Sequence, residues 1–122
     1  MKTNKAITSA KAVIHAIEVN LLLFTTAVQQ ELLAPDIEEL IESIEITHKG
    51  IFITPSDNPH KLGKLLSEVL FLIFTRSARE EQGLYQWVSS IRDTPIVILA
   101  NEYHFADYTG TIAPCHPVTT QP

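Results

Sequence analysis

The sequence has few of the residues that cross-link a small fold or build a phosphate-binding loop. Cys115 is the one cysteine among 122 residues, so no disulfide can form within the chain. The four glycines, Gly50, Gly63, Gly83 and Gly110, are too scattered for a glycine-rich phosphate loop, and neither GxSxG nor Ser-x-x-Lys occurs. These absences argue against disulfide-rich scaffolds and several large enzyme classes, and they favour a reducing, cytoplasmic location.

Basic residues are in the minority, with 9 against 14 acidic residues and a net charge of −5. This sign of charge disfavours attraction to phosphate backbones and to anionic membrane surfaces. Hydrophobic residues make up 45% of the chain, enough for a core, and the length fits one domain. We therefore expect a single domain over residues 1–110 and a tail rich in Pro and Thr over residues 111–122.

Long uninterrupted apolar runs are also missing. Within residues 12–28 the longest run has four residues, and His15, Glu18 and Asn20 interrupt the stretch. A second run, residues 69–74, has six. A membrane-spanning helix needs about 20 mostly apolar residues, so the sequence predicts no membrane span.

The first third of the chain predicts one long helix over residues 4–33. Its apolar residues recur at gaps of three and four, the spacing of a helix face. These residues are Ile7, Ala10, Val13, Ile14, Ile17, Leu21, Phe24 and Val28. A strand over residues 11–24 is the alternative, because β-branched residues are dense there and every second position is Val13, His15, Ile17 and Val19.

Three stretches predict strands. Residues 44–54 hold two β-branched segments around His48, Lys49 and Gly50, which is typical of a hairpin with a bulged turn. Residues 96–100 form an apolar run without alternation, which suits a buried strand. Together they predict a small three-stranded sheet.

Three further helices are predicted. Pro35 opens a short helix whose apolar stripe continues to Ile44. Asn58 caps the next helix, which continues to residue 74 and is apolar enough to be the central buried element. A capping box at residues 77–80 predicts a last helix over residues 78–91. The predicted fold is α+β, with about four helices and a three-stranded sheet.

Four possible metal ligands lie near the C-terminus: His104, Asp107, Cys115 and His116. A tetrahedral site needs four ligands, but Cys115 and His116 are adjacent, whereas structural sites usually separate ligands by two to four residues. A proline-rich tail is also a poor support for a reactive thiol, which must be held rigidly. We therefore predict no metal, cofactor or catalytic residue, and we keep a small metal-dependent protein or enzyme using these four residues as an alternative.

A second alternative is a nucleic-acid-binding regulator. Four basic residues gather around the third predicted helix and the segment that follows it: Lys61, Lys64, Arg76 and Arg79. That helix is too apolar for a recognition helix, which needs polar side chains facing the bases. The sequence therefore makes nucleic acid an unfavourable partner.

The apolar content of two helices predicts association. Residues 13–28 and 62–74 carry more apolar surface than a domain of this size is expected to cover. The surplus would be buried against a second copy, most simply in a symmetric dimer. The sequence thus predicts a non-enzymatic protein-interaction or regulatory module that forms a homodimer.

Overall fold

A long N-terminal helix precedes a six-stranded mixed sheet in the computed structural model, which describes residues 2–79, 84–101 and 111–114. The helical elements are α1 (Lys2–Leu23), a π-helical segment (Phe24–Val28), α2 (Gln29–Leu32), α3 (Pro35–Glu38) and α4 (Pro59–Leu70). The strands are β1 (Ile41–Thr47), β2 (Gly50–Pro55), β3 (Phe74–Arg79), β4 (Leu84–Ile91), β5 (Thr94–Asn101) and β6 (Thr111–Ile112). The α+β class is confirmed, and the predicted count of four helices and three strands is wrong.

The sheet has the order β1-β2-β5-β4-β3-β6. Strands β2 and β5 are parallel, and the other neighbouring pairs are antiparallel. Alternate residues of β2 and β5 are buried, namely Ile51, Ile53, Ile96 and Ile98. They belong to the same core cluster as the buried residues of the helices. The described helices therefore pack against a single face of the sheet.

Helix α1, the π segment and α2 follow one another from Lys2 to Leu32, which confirms the predicted helix and rules out the alternative strand. Leu23 and Val28 are both buried although they lie five residues apart. The π segment explains this spacing, because its i→i+5 hydrogen bonds insert one extra residue per turn. The hydroxyls of Thr25 and Thr26 donate to the Leu22 carbonyl, at 3.0 and 2.8 Å, at the start of this segment.

The predicted hairpin is confirmed, with Thr47 paired to Gly50 across a turn at His48 and Lys49. The bulge is misplaced in the prediction, since the register shift lies between Ile41 and Ser43 at the far end of β1. Gly50 has φ +149°, and a Cβ at this position would lie 2.6 Å from the carbonyl oxygen of Pro95. Only glycine lets β2 approach β5 so closely at this point.

Helix α4 begins as predicted but ends earlier. The Asn58 side chain accepts from the backbone amides of His60 and Lys61 at 3.0 and 3.1 Å, and Pro59 occupies the first turn. The helix ends at Leu70, and Phe71 adopts a left-handed conformation with φ 55°. Its predicted continuation to residue 74 is wrong.

The burial pattern after Phe71 shows why α4 stops. Leu72 and Phe74 are buried, whereas Phe71 and Ile73 are 80% and 58% exposed. This alternation has the period of a strand, and Phe74 begins β3. An apolar run without polar interruptions concealed the change of period.

Two other predicted helices are corrected. Of the predicted helix over residues 78–91, the described residues 78–79 belong to β3 and 84–91 form β4, which lies between β3 and β5 and pairs on both sides. A capping box satisfies only two backbone donors, which the two ladders outweigh. The helix that begins at Pro35 ends at Glu38, and Ile41 already pairs with Pro55 in the sheet.

The chain returns to the sheet at β6, which pairs with β3 at the edge. Ile112 is buried against Gly63 of α4, where an added Cβ would lie 2.8 Å from its Cδ1 atom. The Lys64 ammonium donates to the Ala113 carbonyl. The first two residues of the predicted tail thus form part of the sheet, and residues 115–122 lie outside the described residues.

Candidate interaction surface

Helix α1 and the first residue of the π segment, Phe24, present a regular apolar seam. Six residues recur at alternating gaps of three and four, which is the heptad spacing of coiled-coil helices. We call them the α1 seam: Ile7, Ala10, Ile14, Ile17, Leu21 and Phe24. Ile7, Ile14 and Leu21 are 49%, 54% and 46% exposed, while Ile17 and Phe24 are partly buried. The seam is therefore open to a partner along most of its length.

The N-terminal half of α1 stands clear of the sheet. Residues 4–15 are exposed without exception, and the first partly buried position is Ala16. This free half extends for about 18 Å at 1.5 Å per residue. An isolated helix of this length is marginal in water, because its stability in proteins comes mainly from packing of an apolar face. The free half is thus a helical segment whose apolar face the described part of the chain leaves exposed.

Asn20 fixes the orientation of α1 on the sheet. Its side-chain amide donates to the Thr47 carbonyl at 2.8 Å, and its carbonyl oxygen accepts from the Thr94 hydroxyl at 3.1 Å. Asn20 and Thr94 are both buried. A buried amide that loses these partners is costly, so rotation of α1 about its axis is opposed. The direction in which the α1 seam faces is consequently set by the fold.

Two charges flank the α1 seam on one side. Lys11 directly follows the seam residue Ala10, and Glu18 directly follows Ile17, so the charges lie one heptad apart on the same edge. Both side chains are exposed, and neither makes an ion pair with another of the described residues. The opposite edge carries Val13 and the buried Asn20. The spacing of Lys11 and Glu18 can be read from the sequence. That both lie along one edge of an exposed apolar seam can be seen only in the structure.

A cavity of about 370 Å³ lies between α1 and the turn that joins β4 to β5. The described residues that line it are Val19, Leu22, Leu23, Thr26, Arg92 and Thr94. Arg92 and Asp93 both have positive φ, 48° and 70°, as in the turns that suit a two-residue hairpin. The lining is mostly apolar, with Arg92 as its one ionisable side chain.

The residues singled out as alternative sites are not brought together in the described part of the chain. His104, Asp107, Cys115 and His116 all lie outside the described residues. Among the residues that are described, no three His, Cys, Asp or Glu side chains cluster in a way that could hold a metal ion.

The basic group also has structural neighbours. Lys64 is bonded to the end of β6, while Lys61 is exposed on the first turn of α4. Nearby, burial, followed by the charge of Lys64, holds the pKa of His60 below its usual 6.5. The His60 ring packs edge-on against Trp87, with ring centres 6.2 Å apart. This part of α4 is therefore a packed corner of the domain, in which burial and the charge of Lys64 lower the pKa of the imidazole.

By length and composition alone, one helical stretch of the described chain, Asn4–Leu32, could also cross a membrane. Only 17% of its apolar window is buried. Its C-terminal part nevertheless supplies Leu23, Val28 and Leu32 to the core of the domain. The prediction that this stretch does not span a membrane stays a prediction.

Comparison of the chain with family models, with curated proteins and with solved structures found no match.

Proposed function

We propose that this chain is a non-enzymatic protein-interaction module of the cytoplasm that associates through the α1 seam, most simply as a homodimer. The observation that carries the proposal is the exposure of Ile7, Ile14 and Leu21 on one face of α1, whose direction Asn20 fixes. Surface apolar residues scattered singly need no explanation, whereas a contiguous stripe marks a contact surface.

A second copy of the chain suits this surface because the α1 seam is complementary to itself. Heptad seams pack side chains from one helix into the gaps of another with the same spacing. A two-fold dimer uses the same patch on both copies, so one seam is sufficient for a closed assembly. The seam is short, about two and a half heptads, so we expect a dissociation constant in the micromolar range.

The described lining of the cavity beside α1 does not suit acid–base catalysis. General acid–base catalysis uses a group that gains and loses a proton near the working pH. Among the described residues that line the cavity, the ionisable one is Arg92, whose guanidinium stays protonated.

A lipid bilayer is the competing environment for an apolar helix. Insertion of the whole stretch would remove Leu23, Val28 and Leu32 from the core and break both hydrogen bonds of Asn20. Association through the α1 seam leaves these contacts in place. Because association keeps the core contacts and both hydrogen bonds of Asn20, it favours a protein partner over a lipid bilayer.

The test is the mass of the protein in solution. Sedimentation equilibrium between about 1 and 100 µM should give a mass approaching twice 13.6 kDa. Ile14→Glu should weaken association about tenfold or more, because each dimer would then bury two carboxylates in the seam. The matched control is Val19→Glu, since Val19 is 47% exposed but lies on the side of α1 opposite the seam. This control should leave the dimer intact.

Two outcomes contradict the proposal. One is a monomeric wild-type chain at about 100 µM, far above the expected dissociation constant. The other is flotation with neutral phosphatidylcholine vesicles that Ile14→Glu and Val19→Glu abolish equally, which would assign the apolar surface of α1 to lipid.

A further inference from the structure

We infer that two copies pair their α1 helices antiparallel, so that Lys11 of each copy lies against Glu18 of the other. This inference rests on the proposed function, since it specifies how the α1 seam is occupied. Three observations carry it: the positions of the two charges, the layers of the seam and the projection of the free half.

The positions of the charges favour an antiparallel pair. A seam has two flanking edges: one is formed by the residues that directly follow the second apolar residue of each heptad, as Lys11 follows Ala10. In an antiparallel pair, this edge of one helix faces the same edge of the other helix. Lys11 and Glu18 both occupy that edge, one heptad apart. Reversing one helix therefore brings Lys11 against Glu18 twice, once on each side of a two-fold axis near His15.

The same register also matches the layers of the seam. With the axis near His15, Ile14 packs against Ile17 of the second copy, and Ala10 packs against Leu21. The small side chain of Ala10 lies opposite a large one, and the two isoleucines share the centre. Complementary sizes in opposed layers are what a close-packed interface needs.

A parallel pair loses the charge complementarity. It would place the edge that carries Lys11 and Glu18 against the opposite edge of the second helix, which carries Val13 and Asn20. Neither of those residues is charged, and Asn20 is already committed to Thr47 and Thr94. In a parallel pair, Lys11 and Glu18 would therefore face no opposite charge on the second helix.

The projection of α1 points to the same arrangement. Residues 4–15 are exposed, whereas the later part of the helix is held on the sheet. In an antiparallel pair, the free half of each helix packs along the held half of the other. In a parallel pair, the two free halves would have only each other for support. The antiparallel pair therefore covers more of what each copy leaves open.

Charge reversal tests the orientation directly. Lys11→Glu and Glu18→Lys should each weaken the dimer on the order of tenfold at low salt, because two attractions become two repulsions. The double variant, Lys11→Glu with Glu18→Lys, should recover wild-type affinity. An equal mixture of the two single variants should form heterodimers, since the glutamate introduced into one chain would meet the lysine introduced into the other. Native mass spectrometry separates heterodimers from homodimers.

Matched controls separate this pairing from net charge. Lys5→Glu changes the net charge as Lys11→Glu does, but Lys5 lies on the side of α1 away from the seam. Glu31→Lys is the equivalent control for Glu18→Lys, because Glu31 is exposed and lies in α2, outside the seam. Neither control should weaken the dimer as the seam variants do.

The outcomes distinguish this inference from the proposed function. A wild-type dimer that both single reversals leave unchanged, or a mixture that yields no heterodimer, overturns the antiparallel pairing while the interaction surface stands. A wild-type chain that stays monomeric overturns both.

Discussion

Asn20 joins three parts of the chain that are far apart in sequence. Its hydrogen bonds reach Thr47, 27 residues away, and Thr94, 74 residues away. Through them a residue near the C-terminal end of α1 is tied to the hairpin turn and to the start of β5. The side-chain amide of Asn20 therefore opposes rotation of α1 on the sheet.

We predict that Asn20→Ala lowers the free energy of unfolding by about 1 to 3 kcal/mol, because it leaves the buried Thr94 hydroxyl and the Thr47 carbonyl without this partner. Urea denaturation measures the change. Thr8→Ala is the control, since the Thr8 hydroxyl bonds only to the Asn4 carbonyl on an exposed turn of α1. Equal losses for the two variants would show that Asn20 is an ordinary helix residue.

His60 gives the domain a dependence on pH. Its folded-state pKa lies below the usual 6.5, first through burial and then through the charge of Lys64. Below about pH 6.5 the unfolded chain gains a proton that the folded chain resists, so stability is full above this pH and falls as the pH drops toward the folded-state pKa.

The measurement compares urea midpoints at about pH 7.5 and 5.5. We expect His60→Gln to shrink the loss of stability on acidification, whereas the same change at the exposed His48 should leave it as in the wild type. A wild-type loss that persists in full in His60→Gln would assign the effect to other groups.

At the scale of the element, the proposed dimer leads us to expect that the order of the free half of α1 depends on association. Residues 4–15 are exposed in the part of the chain that the structure describes, so we expect their helical order to depend on the partner. We predict that helical ellipticity at about 222 nm rises with protein concentration across the micromolar range and reaches a plateau when the dimer is complete. Ile14→Glu should keep the low value throughout, and Val19→Glu should follow the wild type. Ellipticity that is independent of concentration in a proven dimer would show that the free half is helical by itself.

The elements that could be predicted from sequence are those with local signals. The spacing along α1, the β-branched segments of the hairpin, the apolar run of β5 and the Asn58 cap each lie within a few residues of one another. Strands β3 and β4 could not be recognised in this way. Their backbones are strands because β5 and β6 lie beside them, and a local capping pattern at residues 77–80 imitated a helix start.

The candidate surface was predictable only in part. Surplus apolar content in α1 predicted association, which stays a prediction, and the structure adds that Ile7, Ile14 and Leu21 are exposed. The face that is left open depends on Asn20, whose partners are distant in sequence, and no spacing rule identifies them.

At the scale of the whole molecule, net charge acts against the proposed dimer. Each copy carries −5, so two copies repel at distances up to the screening length, about 8 to 10 Å at moderate salt. The Lys11 and Glu18 attractions act at contact distance and are also screened. Added salt therefore weakens both the repulsion between the net charges and the attraction between Lys11 and Glu18. A salt series cannot separate the two effects, whereas the mixture of single variants tests the Lys11–Glu18 pairing directly.

The π segment has a mechanical consequence for the whole molecule. One additional residue in a helix turns everything before it by about 100° relative to everything after it. Here the extra residue lies between the buried Asn20 and Leu23 of α1 and the buried Val28. Without the extra residue, Val28 would be turned by about 100° from its place in the core while Asn20 and Leu23 stay buried. The segment Phe24–Val28 therefore lets one continuous helix bury residues on both sides of it and leave the α1 seam exposed.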